Sequence, residues 1–314
     1  MANYYALVSG LPDISVEQRK MPFSQKDFGE ELKDVLTSYD YKSFRLLELE
    51  QFNRHLLKIL PDKEKNIDLD AIQTTTQESV PHSDEDSEQD VYFDSNQINT
   101  IISFYMQGMK PPLYKNLPSY VYTFLDYEYS EKEDGEREHD PLKVLSPEDR
   151  LSMLYYEYAI KQSNDFVSDW FKLNLNIKNI LAVYTCRKLG WDPNQFIIGD
   201  SHIEKQLRTS SSKDFGLSEE LDYLPSIIQI AEETDITRRE RMLDLFRWNW
   251  IEEKYFRNVF GIEHVLGYYL QLGIIERWVN LNEVKGEETF RKIVYSLKQE
   301  SRKSLDEFKR KQQK

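Results

Sequence analysis

The chain has 314 residues, 39% of them hydrophobic and 13% aromatic, enough for one large buried core or two smaller ones. Its net charge of −14 belongs to its first half: residues 1–150 carry 16 Lys and Arg against 30 Asp and Glu, whereas residues 151–314 carry 25 of each. That acidity argues against binding nucleic acid or anionic lipid. The 11 glycines argue against Gly-rich phosphate loops and tight-turned all-β folds, and a single cysteine excludes an internal disulfide or a Cys-based zinc site.

In chain order, Tyr4-Tyr5-Ala6-Leu7-Val8 is too short, and lacks the basic flank, for a signal peptide. No apolar run approaches the ~18–20 residues of a transmembrane helix. The expectation is a cytoplasmic chain without a direct membrane span.

Ser24 and Asp27 have the spacing of a capping box, and Phe28, Leu32, Val35 and Leu36 follow at helical intervals. Asp40 is expected to cap a second helix with Phe44, Leu47, Phe52, Leu56 and Ile59 on its buried face, ended by Pro61. Residues 62–94 then hold 11 Asp and Glu against 2 Lys. They lack the apolar surface to offset the entropy of ordering and read as an acidic mobile insert, either an inert linker or a docking segment.

Asn96 opens a helix with Ile98, Ile101, Ile102, Tyr105 and Met106, stopped by Pro111-Pro112. Ser119 opens another with Val121, Phe124 and Leu125, followed by an acidic stretch over 126–140. Ser146-Pro147-Glu148-Asp149 is the clearest helix start: an N-cap, proline at the first position and acids in the first turn. Leu151, Leu154, Tyr155 and Tyr158 line the buried face that follows.

The next helix runs through Leu173, Ile177, Ile180, Leu181 and Tyr184 to Gly190, with Cys186 as a small core residue. Asn174, Asn176 and Asn179 are mediocre helix formers, so their side chains should bond to a neighbouring backbone or cap a broken turn. Residues 199–216 read as a polar connector. A helix after Pro225 carries Ile227, Ile228 and Ala231; Asp235 caps the next, with Leu243, Phe246 and Trp250 on one face. Trp248 falls off that face and is expected to be exposed, beside Arg247.

The last two helices are expected over Ile262–Glu283 and from Glu287 to Phe308. The first is apolar on two stripes, one through Ile262, Leu266, Tyr269 and Gly273, the other through Val265, Tyr268, Leu272, Ile275 and Val279, and is therefore buried on two sides. Gly267 and Gly273 each cost about 1 kcal/mol in a helix interior. They imply close approach by another helix, from within the fold or from a partner. No alternating strand pattern appears, so the fold class is all-α. Two helical parts are expected, 1–145 and 146–314.

Chemistry is hard to find. Glu136 to His139 is the sole Glu-x-x-His, and it lies in an acidic loop rather than on facing helices. His202-Ile203-Glu204 has the His-x-Glu step of zinc deaminases without their Pro-Cys-x-x-Cys. No nucleophile elbow, Walker loop or His-Glu-x-x-His occurs. Neither a cofactor, a metal nor a catalytic residue is nominated. Candidate partner contacts are Arg247, Trp248 and the basic end of the chain, where residues 298–314 hold 7 Lys and Arg against 3 acids: Arg302, Lys303, Lys309 and Arg310.

Tyr269-Leu270-Gln271-Leu272-Gly273-Ile274-Ile275-Glu276-Arg277-Trp278-Val279, then Gly286 and Phe290-Arg291-Lys292-Ile293, resembles the closing helices of the C-type central-stalk subunit of V/A-type ATPases, called d-type in the eukaryotic enzymes. Asn176-Ile177-Lys178-Asn179-Ile180-Leu181 is similar to that family's Asn-Leu-Lys helix. The opening residues Asn3 to Pro12 resemble an uncharacterised, divergent bacterial relative. The chain departs from the family at Ala182, where an Arg is usual, and in the acidic insert.

The resemblance implies a funnel-like assembly of helical subdomains. It also implies a non-catalytic rotor part that seats the shaft on the membrane rotor ring and transmits torque. Shaft subunits and ring are then the partners, and the location is peripheral on the inner face of the cell membrane. The alternative is a helical adaptor that docks through its acidic insert.

Overall fold

The computed structural model describes residues 4–60, 95–130, 141–161, 164–256 and 258–281. Among them are eleven α-helices and no strand. In chain order they are α1 (Tyr5–Gly10), α2 (Gln25–Val35), α3 (Ser38–Ile59), α4 (Ser95–Met106), α5 (Ser119–Tyr129), α6 (Pro147–Ile160), α7 (Asp165–Leu189), α8 (His202–Thr209), α9 (Leu224–Glu232), α10 (Ile236–Tyr255) and α11 (262–281). The fold is all-α. No described helix is long and apolar enough to cross a membrane. The insert 62–94, Glu136 to His139 and the helix expected from Glu287 to Phe308 lie outside the described residues.

The helix starts follow their caps. Ser24 accepts from the Asp27 amide at 3.0 Å and Asp27 returns the bond to the Ser24 amide, a complete capping box. Ser146 caps α6 through the Asp149 amide at 3.1 Å, and Asp235 accepts from the Arg238 amide at 2.9 Å. Gly190, at φ 71°, ends α7 in the left-handed conformation that glycine adopts without strain. One cap is shifted. Thr37 rather than Asp40 caps α3, its Oγ1 accepting from the Asp40 amide at 3.2 Å. Asp40 is instead a buried acceptor for the Tyr4 hydroxyl at 2.5 Å.

One element departs from the sequence expectation. Residues 199–216 include α8, opened by a Ser201–Glu204 capping box and anchored by the buried Leu207. Glu204 is itself buried, because its carboxylate accepts from the Ser201 amide at 2.7 Å.

Two compact units divide the chain, and neither follows the boundary at 145. One joins Met1–Tyr41 to Glu240–Lys314; the other holds Lys42–Arg239. The first is discontinuous because early segments pack on late ones. The Tyr4 amide donates to the Phe260 carbonyl at 2.9 Å, the Tyr268 hydroxyl to the Pro12 carbonyl at 3.0 Å, and the Gln25 amide to Glu276 at 3.2 Å. Phe28 also meets the Tyr268 ring edge-on, with centroids 5.3 Å apart.

In the second unit α4 packs on α5, α5 on α6, α6 on α7, and α7 on both α8 and α9. Apolar side chains fill it, including Phe44, Leu56, Ile98, Ile101, Phe124 and Ile177. Aromatic hydroxyls buried there have partners: Tyr120 donates to Asn53 Oδ1 at 2.6 Å and Tyr155 to the Leu46 carbonyl at 2.7 Å. Burial pushes the Tyr120 phenol far above its ordinary value.

Candidate functional site

The two helices that carry the resemblance, α7 and α11, position most of the unusual side chains. In α7, Asn179 is fully buried and clamps one residue at both ends. Its Nδ2 donates to the Ile198 carbonyl at 2.8 Å, and its Oδ1 accepts from the Ile198 amide at 3.1 Å. Asn176 donates to the Tyr223 hydroxyl at 2.8 Å and Asn174 to the Trp170 carbonyl at 2.8 Å. The asparagines that are poor helix formers thus fix the segments packed around α7. Their role is structural.

In α11 the glycines allow close approach, as their spacing demanded. A Cβ on Gly267 would lie 2.7 Å from Ile251 Cγ2 of α10, and one on Gly273 would lie 2.6 Å from Gln25 Nε2 of α2. Gln25 Nε2 donates to the Tyr269 carbonyl at 3.1 Å. The approaching groups belong to the same unit of the same chain, which answers the question the sequence left open.

The last described turns of α11 are tied to α10 by a buried acid. Asp244, 2% exposed, accepts from Trp278 Nε1 at 2.7 Å, from Arg247 Nη1 at 3.2 Å and from Arg277 Nη2. Arg277 also reaches Glu240 at 3.6 Å. Two guanidiniums lie against the Trp278 ring, Arg241 at 5.0 Å and Arg277 at 5.5 Å from its centroid. Arg241 in turn donates to the Val16 carbonyl at 2.7 Å. This cluster can hold helices together and present cationic edges. It offers no acid–base pair, since each carboxylate is matched to a permanent cation.

The predicted contact residues are not all where they were expected. Trp248 is buried, 4% exposed, and its indole donates to Glu252 Oε1 at 2.8 Å, so it offers no free surface. Trp250 is only half-buried and lies 5.0 Å beneath the Lys254 ammonium. The buried stripe of α10 is Leu243, Asp244, Trp248 and Ile251, rotated from the one that hydrophobicity alone suggests. Arg247 is partly exposed and bound to Asp244. Arg302, Lys303, Lys309 and Arg310 lie outside the described residues. Asp244 and Arg277 went unrecognised as a pair. The available signal was a lone acid among the apolar residues of α10 and an adjacent Arg-Trp pair on α11.

Other candidates resolve into structure. His202 is exposed and pairs with Glu220 at 3.1 Å, while Glu204 faces its own helix start. Among the described residues no group of three His, Cys, Asp or Glu could hold a metal ion. Cys186 is buried and its thiol is pushed up by desolvation. In the same unit, Lys42–Arg239, an open groove of about 790 Å³ is lined in part by Tyr105, Met106, Met109, Pro111, Leu113 and Tyr122. Leu113 is 76% exposed on its wall.

With this geometry in hand, one comparison identifies kin. The family model described as "Protein of unknown function (DUF2764)" matches residues 1–301. The chain belongs to the DUF2764 family. No curated protein and no solved structure matches it. As a DUF2764 member it brings no assigned activity, so function has to be argued from its own residues.

Proposed function

We propose that this DUF2764 chain is a non-catalytic central-stalk subunit of a V/A-type rotary ATPase. It would seat the central shaft on the membrane rotor ring and transmit torque between ATP turnover and proton or sodium movement. The observation that carries this reading is the fastening of α11, the helix whose residues resemble the closing helices of the C-type stalk family. That helix is approached closely at two glycines, buried along most of both stripes, and anchored at Trp278 by Asp244.

A part that passes torque needs helices that do not slide, and close packing with a buried charge network provides that. Shaft and ring are the partners in this reading, and the chain is cytoplasmic and peripheral to the inner membrane face. Partly exposed Arg247 and Arg277 are the contacts favoured among the described residues.

The test is affinity purification of the tagged full-length chain from its own cells in mild detergent. Co-elution of shaft and ring subunits in fixed ratio is the expected result. Recovery as a lone monomer, indifferent to those subunits when they are added back, overturns the proposal. Removing residues 62–94 should leave the rotor contacts intact, whereas an adaptor docking through that insert would lose its partner.

A further inference from the structure

The turn from α10 into α11 closes on an imidazole. His264 lies in the first turn of α11 and stacks on Tyr255, the last residue of α10, with ring centroids 4.4 Å apart and planes 19° from parallel. Its Nδ1 is buried and has no hydrogen-bond partner. The same tyrosine packs 3.1 Å from where a Gly267 Cβ would sit, and the Gln271 side chain lies near its phenol. Gln271 is 2% exposed and its Nε2 likewise has no partner. Tyr255 thus lies against a column formed by His264, Gly267 and Gln271, and that column carries two unmet polar atoms.

We propose that the α10–α11 turn is an acid-sensitive joint, in which proton uptake at His264 loosens the Tyr255 column and frees the start of α11. A proton at Nδ1 places a donor and a positive charge on a buried atom that makes no hydrogen bond, and such burial is costly. The groups around the ring do little to offset it. Tyr255 is the titratable side chain facing it from α10, and its phenol is held neutral by burial. Glu263, adjacent on α11, is engaged by Asn258 Nδ2 at 2.9 Å, and Glu252 lies one turn before Tyr255. The Val259 carbonyl favours the proton but is outweighed by desolvation, which holds the imidazole below its ordinary 6.5.

The sign follows from linkage. The opened state takes up a proton near 6.5 and the closed state only at lower pH, so closure is fully stabilised above 6.5 and weakens as pH falls below it. The experiment is amide hydrogen exchange on the full chain at pH 7.5 and 5.0, corrected for intrinsic chemistry, with wild type, His264→Phe and His264→Gln. Relative to α2, wild-type protection over residues 258–271 should fall about fivefold or more at pH 5.0. In at least one folded variant it should stay constant. Unchanged wild-type protection, or an equal loss in both variants, overturns the proposal. Titration of the His264 imidazole by NMR gives an independent check: a midpoint at or above 6.5 also overturns it.

Discussion

Helices α7 and α11 are both apolar on more than one side, yet they are held by different means. In α7 the buried polar side chains are satisfied: Asn179 by both backbone groups of Ile198, Asn176 by the Tyr223 hydroxyl, and Ser168 by the Ile160 carbonyl at 3.0 Å. In α11 the fit at the two glycines is steric. Glycines admit Ile251 and Gln25, and the polar atoms His264 Nδ1 and Gln271 Nε2 go without partners. A directional clamp of the α7 kind fixes register, because a shifted helix would bury unmet donors. A shape fit of the α11 kind leaves register to the bonds around it, from Gln25 to the Tyr269 carbonyl and from Trp278 to Asp244.

The largest effect should come from breaking the α7 clamp. Asn179→Leu strands the Ile198 amide and carbonyl in the core and should cost about 2–6 kcal/mol, from roughly 1–3 per stranded group. A shift in the urea midpoint with unchanged slope would measure it; a loss below about 1 kcal/mol would erase the contrast. Asp244→Ala is the corresponding cut for α11. It should cost about 2–3 kcal/mol, less than a fully buried pair, because Arg277 remains 43% exposed and regains water. Trp278 fluorescence should shift in the same variant.

The two glycines sharpen the steric side. Gly267→Ala meets Ile251, a β-branched side chain with little room to give, and should lose about 1–2 kcal/mol after the gain in helix propensity. Gly273→Ala meets only the end of the flexible Gln25 side chain and should lie within about 0.5 kcal/mol of wild type. Equal losses at both sites, read from thermal midpoints, would contradict the steric account.

The smallest effect is a control outside both helices. Asp214 accepts from Ser218 at 2.7 Å and from the Gly216 amide at 3.2 Å, which holds its carboxyl down at about 2 against an ordinary 3.8. Its contribution is present above 3.8 and lost as pH falls through about 2. Asp214→Asn should flatten that acid slope slightly and leave stability at neutral pH otherwise little changed.

Much of the secondary structure was legible, because caps and breakers act locally. Ser24, Ser146, Asp235 and Gly190 each mark the boundary they form. The failures have a common cause in polar residues that point inward. Asp244 sits on the buried face of α10 because its partners arrive from α11, so a hydrophobic stripe drawn without it turns the helix and exposes Trp248. Glu204 likewise disguised α8 as a polar connector. For the site, the α11 glycines were readable as points of close approach. The Asp244–Arg277 tie was not, since nothing local distinguishes a paired acid from a solvated one.

The discontinuous first unit sets an order of events during synthesis. Residues 4–40 emerge early, but the segments that cover Tyr4, Pro12 and Gln25 lie beyond residue 240. At a ribosomal pace of roughly 5–20 residues per second, the amino-terminal helices wait on the order of 10–40 seconds for their counterpart. Throughout that interval the Phe28 ring lacks its edge-on partner Tyr268, so α2 is a natural target for a nascent-chain chaperone.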